Sequence, residues 1–266
     1  MGTAKMIPAE MVNSRRYDLA DSALAASCAR DLRDEGVSVL PGFVTGAALG
    51  AMVAESDRLA ETAFRSVSAT TCYLGDPDPS LPDTHPGNRL VHGSVEVVAY
   101  DRFPADGPLR ALYEWDPVLD FVRRCLGLEQ LHRYADPLGA LNVAVMRDGD
   151  RLGWHFDMSD FVVSIALQAS ESGGEFENVP HIRGVAGVGE ENHDAVRAVL
   201  DGDRSRVRVE PMTPGTLMLF AGRRSLHRVS PVVGPRPRYV ALLAYAERPG
   251  VDSTDVLKLS RYGRLP

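Results

Sequence analysis

Residues 153–157 read Gly-Trp-His-Phe-Asp. Side chains alternate sides along an extended strand, so His155 and Asp157 point the same way. An imidazole nitrogen and a carboxylate oxygen side by side make two thirds of a facial donor set. A third ligand leaves three adjacent positions open on an octahedral ion, an arrangement that suits iron(II). His-x-Asp alone arises by chance in many chains this long, so a second stretch, 215–238, carries the weight. Downstream of Asp157, His181 follows Pro180 in a loop and His193 sits in a polar helical insertion. His227 follows a strand and turn that can return the chain across a barrel to His155, and it is the expected third ligand. Arg238, 11 residues further on, opens the last strand. A guanidinium there can grip a carboxylate through two parallel hydrogen bonds.

The elements that must position these residues follow from periodicity and turn chemistry. Residues 1–17 read as a loose leader. Leu and Ala at helical spacing predict a helix over 20–36, with Gly36 as its C-cap, and Thr45 caps a second helix through about Phe64. Residues 75–93 hold four prolines and three glycines and predict a long ordered loop, a lid or a substrate wall. A strand is expected over 95–100. Residues 108–126 are amphipathic and helical, with Pro117 either kinking the helix or starting another. From 140 onward, short strands alternate with Gly/Pro turns: 140–146, 161–168, 173–177, 206–210, 215–220 and 238–245, around a helical insertion at 190–203. That rhythm predicts a sandwich or jelly-roll barrel. The chain is expected to form one domain, with a helical and loop part over 1–139, a metal core over 140–246 and a C-terminal tail over 247–266.

Composition narrows the function classes. The chain has 266 residues, 44% hydrophobic and 24% charged, with a net charge of -7. These values suit an ordinary globular domain, and no basic stripe supports nucleic-acid binding. No apolar run approaches the ~20 residues of a membrane-spanning helix. The N-terminus lacks the apolar stretch of a secretory signal, so a cytoplasmic location is expected. Cys28, Cys72 and Cys125 are scattered, form no C-x-x-C pair and read as buried small hydrophobes.

The ordered series HFD at 155–157, GGEFE at 173–177, PGTLMLF at 214–220 and His-x10-Arg from 227 to 238 resembles the iron(II)/2-oxoglutarate-dependent oxygenases. More narrowly, DPLGALNV, GWHFD, GGEFENVPHIR, GRRSLHRVSPV and the late RYGR resemble the subgroup acting on free amino acids. That subgroup includes carrier-independent amino acid halogenases and related lysine hydroxylases. The likeness runs from about Tyr73 to Tyr262. It implies an α+β, mainly β fold: a double-stranded β-helix (jelly roll, cupin-like) with flanking N-terminal helices. It also implies Fe(II), 2-oxoglutarate as co-substrate and O2. His155, Asp157 and His227 would hold the metal and Arg238 the far carboxylate of 2-oxoglutarate. Asn142, on an inward strand position, is expected to hydrogen-bond 2-oxoglutarate or substrate, and Trp154 to wall the iron pocket or simply pack. Halogenases of the subgroup carry glycine where Asp157 stands, which frees a site for chloride. With Asp157 in that place hydroxylation is the expected outcome; desaturation and ring closure use the same ligands and stay open.

For the substrate, an amino-acid-like small molecule in specialised metabolism is expected. Lysine-acting members project polar groups where this chain has Leu242 and Ala244, and Met158 follows the metal-binding Asp. These apolar residues favour a side chain less basic than lysine. Arg89 is a candidate for the α-carboxylate or a loop-ordering ion pair. Asp136 and Asp160 are candidates for an ammonium or for turn capping, and Tyr262 for closing the pocket if the tail folds over the barrel mouth. A monomer or homodimer is expected. Two other classes compete with this reading. A cupin-like metal-binding protein without oxygenase activity would leave Arg238 without a purpose. A zinc hydrolase would want a general base and a denser histidine set.

Overall fold

A computed structural model describes residues 6–184 and 191–266. Seven helices appear among them: α1 (Pro8–Met11), α2 (Ser22–Glu35), α3 (Gly46–Leu59), α4 (Pro108–Glu114), α5 (Asp116–Cys125), α6 (His193–Leu200) and α7 (Asp255–Tyr262). Eleven strands form one sheet: β1 (Val37–Leu40), β2 (Phe64–Thr71), β3 (Leu90–Val98), β4 (Leu141–Met146), β5 (Arg151–His155), β6 (Val162–Gln168), β7 (Phe176–Val179), β8 (Arg208–Glu210), β9 (Leu217–Phe220), β10 (Leu226–Val229) and β11 (Arg238–Leu243). The order is β1-β9-β6-β11-β4-β3-β5-β10-β7-β8, with β2 beside β3, and every pairing is antiparallel. β3 makes the curl. Its Glu96–Val98 segment lies against β4, while Gly93 and Ser94 lie against β5, so one strand belongs to both halves.

The period-2 pattern of the strands separates two faces. On the outer face Val143, Val145, Val163, Ile165, Leu219, Tyr239, Ala241 and Leu243 join one core with Phe43, Met52, Leu112, Phe121 and Val122. The inner face gathers Val95, Val97, Ala144, Met146, Phe176, Met218, Phe220 and Val229, and Tyr262 of α7 closes onto this group. A third cluster packs Trp154, Phe156, Val179 and Leu226 under Cys72, Ile182 and two valines of α6.

Local signals explain most boundaries. Asp21 accepts from Ala23 N at the start of α2, and Gly36 ends it in the left-handed conformation. Trp115, in extended conformation, separates α4 from α5, so Pro117 starts a helix and does not kink one. Thr254 caps α7 and Gly263 ends it.

Four expectations need correction. Residues 6–17 are no loose leader: Met11 is fully buried, Asn13 N donates to Phe43 O at 2.8 Å and Tyr17 OH to Pro41 O at 2.8 Å. Residues 1–5 lie outside the described residues. Phe64 begins β2 and does not end a helix. β2 offers no apolar alternation, because only Thr71 of its Ser/Thr-rich length is buried. The strand expected at 95–100 starts earlier, at Leu90, and the C-terminal tail contains α7. All three cysteines are buried and free. No described helix is long and apolar enough to cross a membrane.

Candidate metal and co-substrate site

β5 and β10 run antiparallel with His155 directly opposite His227, so both rings project from one face, 4.2 Å between centroids. β5 ends at His155. The next two residues are then held from either side, Phe156 N donating to Cys72 O at 2.9 Å and Asp157 N to Gly222 O at 3.1 Å. This brings Asp157 Oδ1 within 3.7 Å of His155 Nε2 and Oδ2 within 3.3 Å of His227 Nε2. One ligand atom from each of the three lies within 4.8 Å of the others. Gly222 makes the seat: a Cβ there would stand 2.9 Å from Asp157 Cβ.

The protons are placed for metal binding. His155 Nδ1 donates to the Gly153 carbonyl at 2.7 Å and His227 Nδ1 to the Ser225 carbonyl at 2.9 Å. In its neutral form each ring then turns an unprotonated Nε2 toward Asp157. Burial and the His227 charge push His155 down to about 4, so it is neutral near pH 7. Burial raises Asp157, but the two histidines outweigh it and hold the carboxyl at about 2. Burial lowers His227, and Asp157 more than reverses this. Asp157 Oδ2 is buried without a hydrogen-bond partner among the described residues. Two nitrogen donors and one anionic oxygen with an unsatisfied lone pair fit a divalent iron.

Arg238 shares the inner side. It opens β11 opposite Met146, and its alternate neighbours Tyr239 and Ala241 belong to the outer core. Only 7% exposed, it finds one partner, the Met146 sulfur at 3.7 Å, and no carboxylate among the described residues. Burial lowers it to about 10. A buried guanidinium without a counter-charge is a site for an anion. Further along the same face, Leu242 lies in register with Asn142 on one side and Ser164 on the other. Asn142 Oδ1 and Ser164 Oγ are buried and unpartnered. Ser164 was missed from sequence, although alternation within Phe161–Gln168 places it opposite the apolar outer positions.

Other candidates lie elsewhere. Trp154 points to the opposite side from His155, into the third cluster, with Arg228 over its ring at 4.8 Å. It packs and does not wall the metal set. Arg89 is held by Asp201 and Leu200 O, tying the 75–89 loop to the end of α6. Asp160 pairs with Arg223 at 2.7 Å and is mostly exposed. Met158 is 72% exposed. Ala244 is half-buried, its carbonyl accepting from Tyr113 OH. Asp136 is fully buried: Oδ1 accepts from Leu138 N at 2.8 Å, and Oδ2 has no described partner. Tyr262 is buried in the inner cluster, brought there by α7. His181 is away from the set, near Gly36. His193 hydrogen-bonds His85 at 3.0 Å.

A two-histidine, one-carboxylate set inside a curled antiparallel sheet defines an iron(II)- and 2-oxoglutarate-dependent oxygenase. Residues 20–257 match the family model Halogenase D, and the chain belongs to that family. Solved structures with the same fold include a 2OG-Fe(II) oxygenase family oxidoreductase from Burkholderia pseudomallei, 16% identical, TM-score 0.53, over 85% of this chain and 92% of that one. AviO1 from Streptomyces viridochromogenes is 17% identical, TM-score 0.56, over 86% and 97%. The epimerase SnoN, in complex with Fe3+, alpha ketoglutarate and nogalamycin RO, is 16% identical, TM-score 0.57, over 85% and 84%. No curated protein matches the chain in sequence.

Proposed function

We propose that His155, Asp157 and His227 hold the iron, that Arg238 holds the far carboxylate of 2-oxoglutarate, and that the enzyme hydroxylates an unactivated C–H of a free amino acid or amino-acid-like molecule. The observation that carries this is the unpaired, buried Arg238 on the inner face that also bears the three metal donors. A barrel that only stored a metal would have no use for such a cation. The curled sheet is read as the double-stranded β-helix of this class.

When bound at these residues, iron(II) with 2-oxoglutarate would supply the oxidising power for O2 chemistry. The residues of the chain do the rest. Gly153 and Ser225 carbonyls fix the ring orientation of the two histidines. Met146, Val229 and Phe220 keep water from the inner face, so Arg238 meets its carboxylate in a low-dielectric setting. Asn142 and Ser164 offer polar atoms to whatever lies along Leu242. Asp157 occupies the position that halogenases leave to chloride, and this favours hydroxylation. A role in specialised metabolism and a cytoplasmic location belong to the same reading.

The test is the weak charge-transfer absorption that iron(II) and 2-oxoglutarate produce together in anaerobic protein. It should appear with wild type and vanish in His227→Ala. A well-folded wild-type protein without the band would overturn the assignment.

A further inference from the structure

Two glycines flank β9, and they are glycines for different reasons. Gly215 has a φ of +89°, a conformation that side chains rarely adopt. Gly222 does not enter the left-handed region, so an alanine could follow its backbone without strain. What an alanine could not do is share the space. A Cβ built on Gly222 would crowd Asp157 Oδ2 and stand 2.9 Å from Asp157 Cβ and 3.1 Å from its Cγ. Those are the three nearest atoms beyond its chain neighbours, and all belong to one member of the metal set.

Neither backbone is free to retreat. Asp157 N donates to Gly222 O at 3.1 Å, which ties the two segments together. Beside Gly222, Ala221 N donates to Gly36 O at 2.8 Å, and Ser225 N and Arg224 N close onto Ala221 O at 3.0 and 3.2 Å. The turn after β9 is therefore pinned, and an added methyl there would fall on the carboxylate. That side chain is partly exposed and can swing outward, which takes Oδ2 from its place 3.3 Å from His227 Nε2. The methyl would then stand against the vacated place, so no free anion could replace the lost oxygen.

We propose that Gly222 is a positioning residue of the metal centre: its missing side chain keeps open a cradle for one anionic oxygen beside His227 Nε2. In the native chain Asp157 fills that cradle with Oδ2. When the carboxylate is cut away, the space it leaves takes a free carboxylate of the smallest size, formate, so long as position 222 stays bare. This rests on the metal set proposed above. It adds a residue that neither binds the metal nor orients a histidine, yet sets which anion completes the donor set.

The experiment titrates metal-free protein with cobalt(II), with and without formate, following the visible absorption of the bound ion. Gly222→Ala should bind cobalt(II) roughly 10- to 100-fold more weakly than wild type, the loss usual for a residue that supports a ligand. Asp157→Gly should lose at least as much, and formate should restore roughly 10-fold of it, as one charge-assisted contact would. In the variant carrying both substitutions formate should restore nothing. That variant should nevertheless melt, metal-free, where Asp157→Gly melts, because the methyl no longer meets a carboxylate. A lower melting temperature would mean that the turn itself needs the glycine, and the inference would fall. It falls equally if Gly222→Ala keeps wild-type affinity, if formate rescues both Asp157→Gly variants alike, or if it rescues neither. If wild type binds cobalt(II) no better than His227→Ala, the metal reading itself falls and takes the inference with it.

Discussion

The two faces of the curled sheet are made of the same strands and do opposite things. On the outer face Tyr239, Ala241 and Leu243 vanish into a core with Phe121, Leu112 and Met52, and Tyr239 OH donates to Asp57 at 2.9 Å. On the inner face the residues one step along, Arg238 and the neighbours of Leu242, leave a guanidinium without a counter-charge and an amide oxygen and a hydroxyl without partners among the described residues. On the proposed reading, one face is largely finished by folding and the other by ligands. Stability is therefore concentrated outside and affinity inside, and substitutions on the two should separate cleanly.

The largest separation is expected at Asp157. Asp157→Ala should lower substrate oxidation by roughly 10^3-fold or more, since it removes metal charge stabilisation of several kcal/mol. Thermal unfolding of the metal-free protein should hardly change, and retained turnover would remove Asp157 from the metal set. Asp157→Gly with chloride present sharpens the point, because loss of hydroxylation with a trace of halide transfer is the expected product pattern. Phe121→Ala tests the other face. It should cost about 3–5 kcal/mol of stability in denaturant unfolding, leaving 2-oxoglutarate affinity unchanged in whatever folds.

Arg238→Met should move the two properties in opposite directions. The affinity for 2-oxoglutarate, measured by titration of the iron-loaded protein, should fall roughly 10- to 100-fold with the lost charge-assisted pair. The melting temperature without ligands should rise, because an uncompensated buried cation is replaced by an apolar chain of similar length. A fall in both would mean that Arg238 has a structural counter-charge.

The smallest effect concerns a buried carboxylate that serves neither ligand. Glu55 of α3 accepts from Leu109 N at 3.2 Å, while its other oxygen is unpartnered, and burial raises it from 4.5 to about 6. Ionisation is thus harder in the folded state. The stability this group contributes is complete below pH 4.5 and is lost as pH rises through 6. Glu55→Gln should exceed wild type by about 1–2 kcal/mol above pH 6. The two should converge below pH 4.5. A pH-independent difference in melting temperature would contradict the shift.

How much of this was legible in the sequence depended on which face a residue served. Strands β4, β6 and β11 were visible because their outer positions are apolar at period 2. The His155/Asp157 pairing followed from the same period. That period also sends Trp154 the other way, which decides for packing between the two roles expected of it. β2 carries no core side and left no trace. α7 did leave signals, a threonine cap and a terminal glycine, in a segment expected only as a tail. Arg89 and Asp160 could not be judged in advance, because their partners, Asp201 and Arg223, are distant in the chain and meet them only through tertiary folding.

Gly222 has one more consequence, for how such enzymes change over time. The seat of Asp157 exists only because position 222 has no side chain. Exchanging the aspartate for glycine opens a void and meets no obstacle, so the carboxylate can be lost in a single step from this background. Regaining it is conditional: once any larger residue has settled at 222, an aspartate restored at 157 has nowhere to stand. The route away from the carboxylate is free, and the route back is gated by a residue that touches no metal.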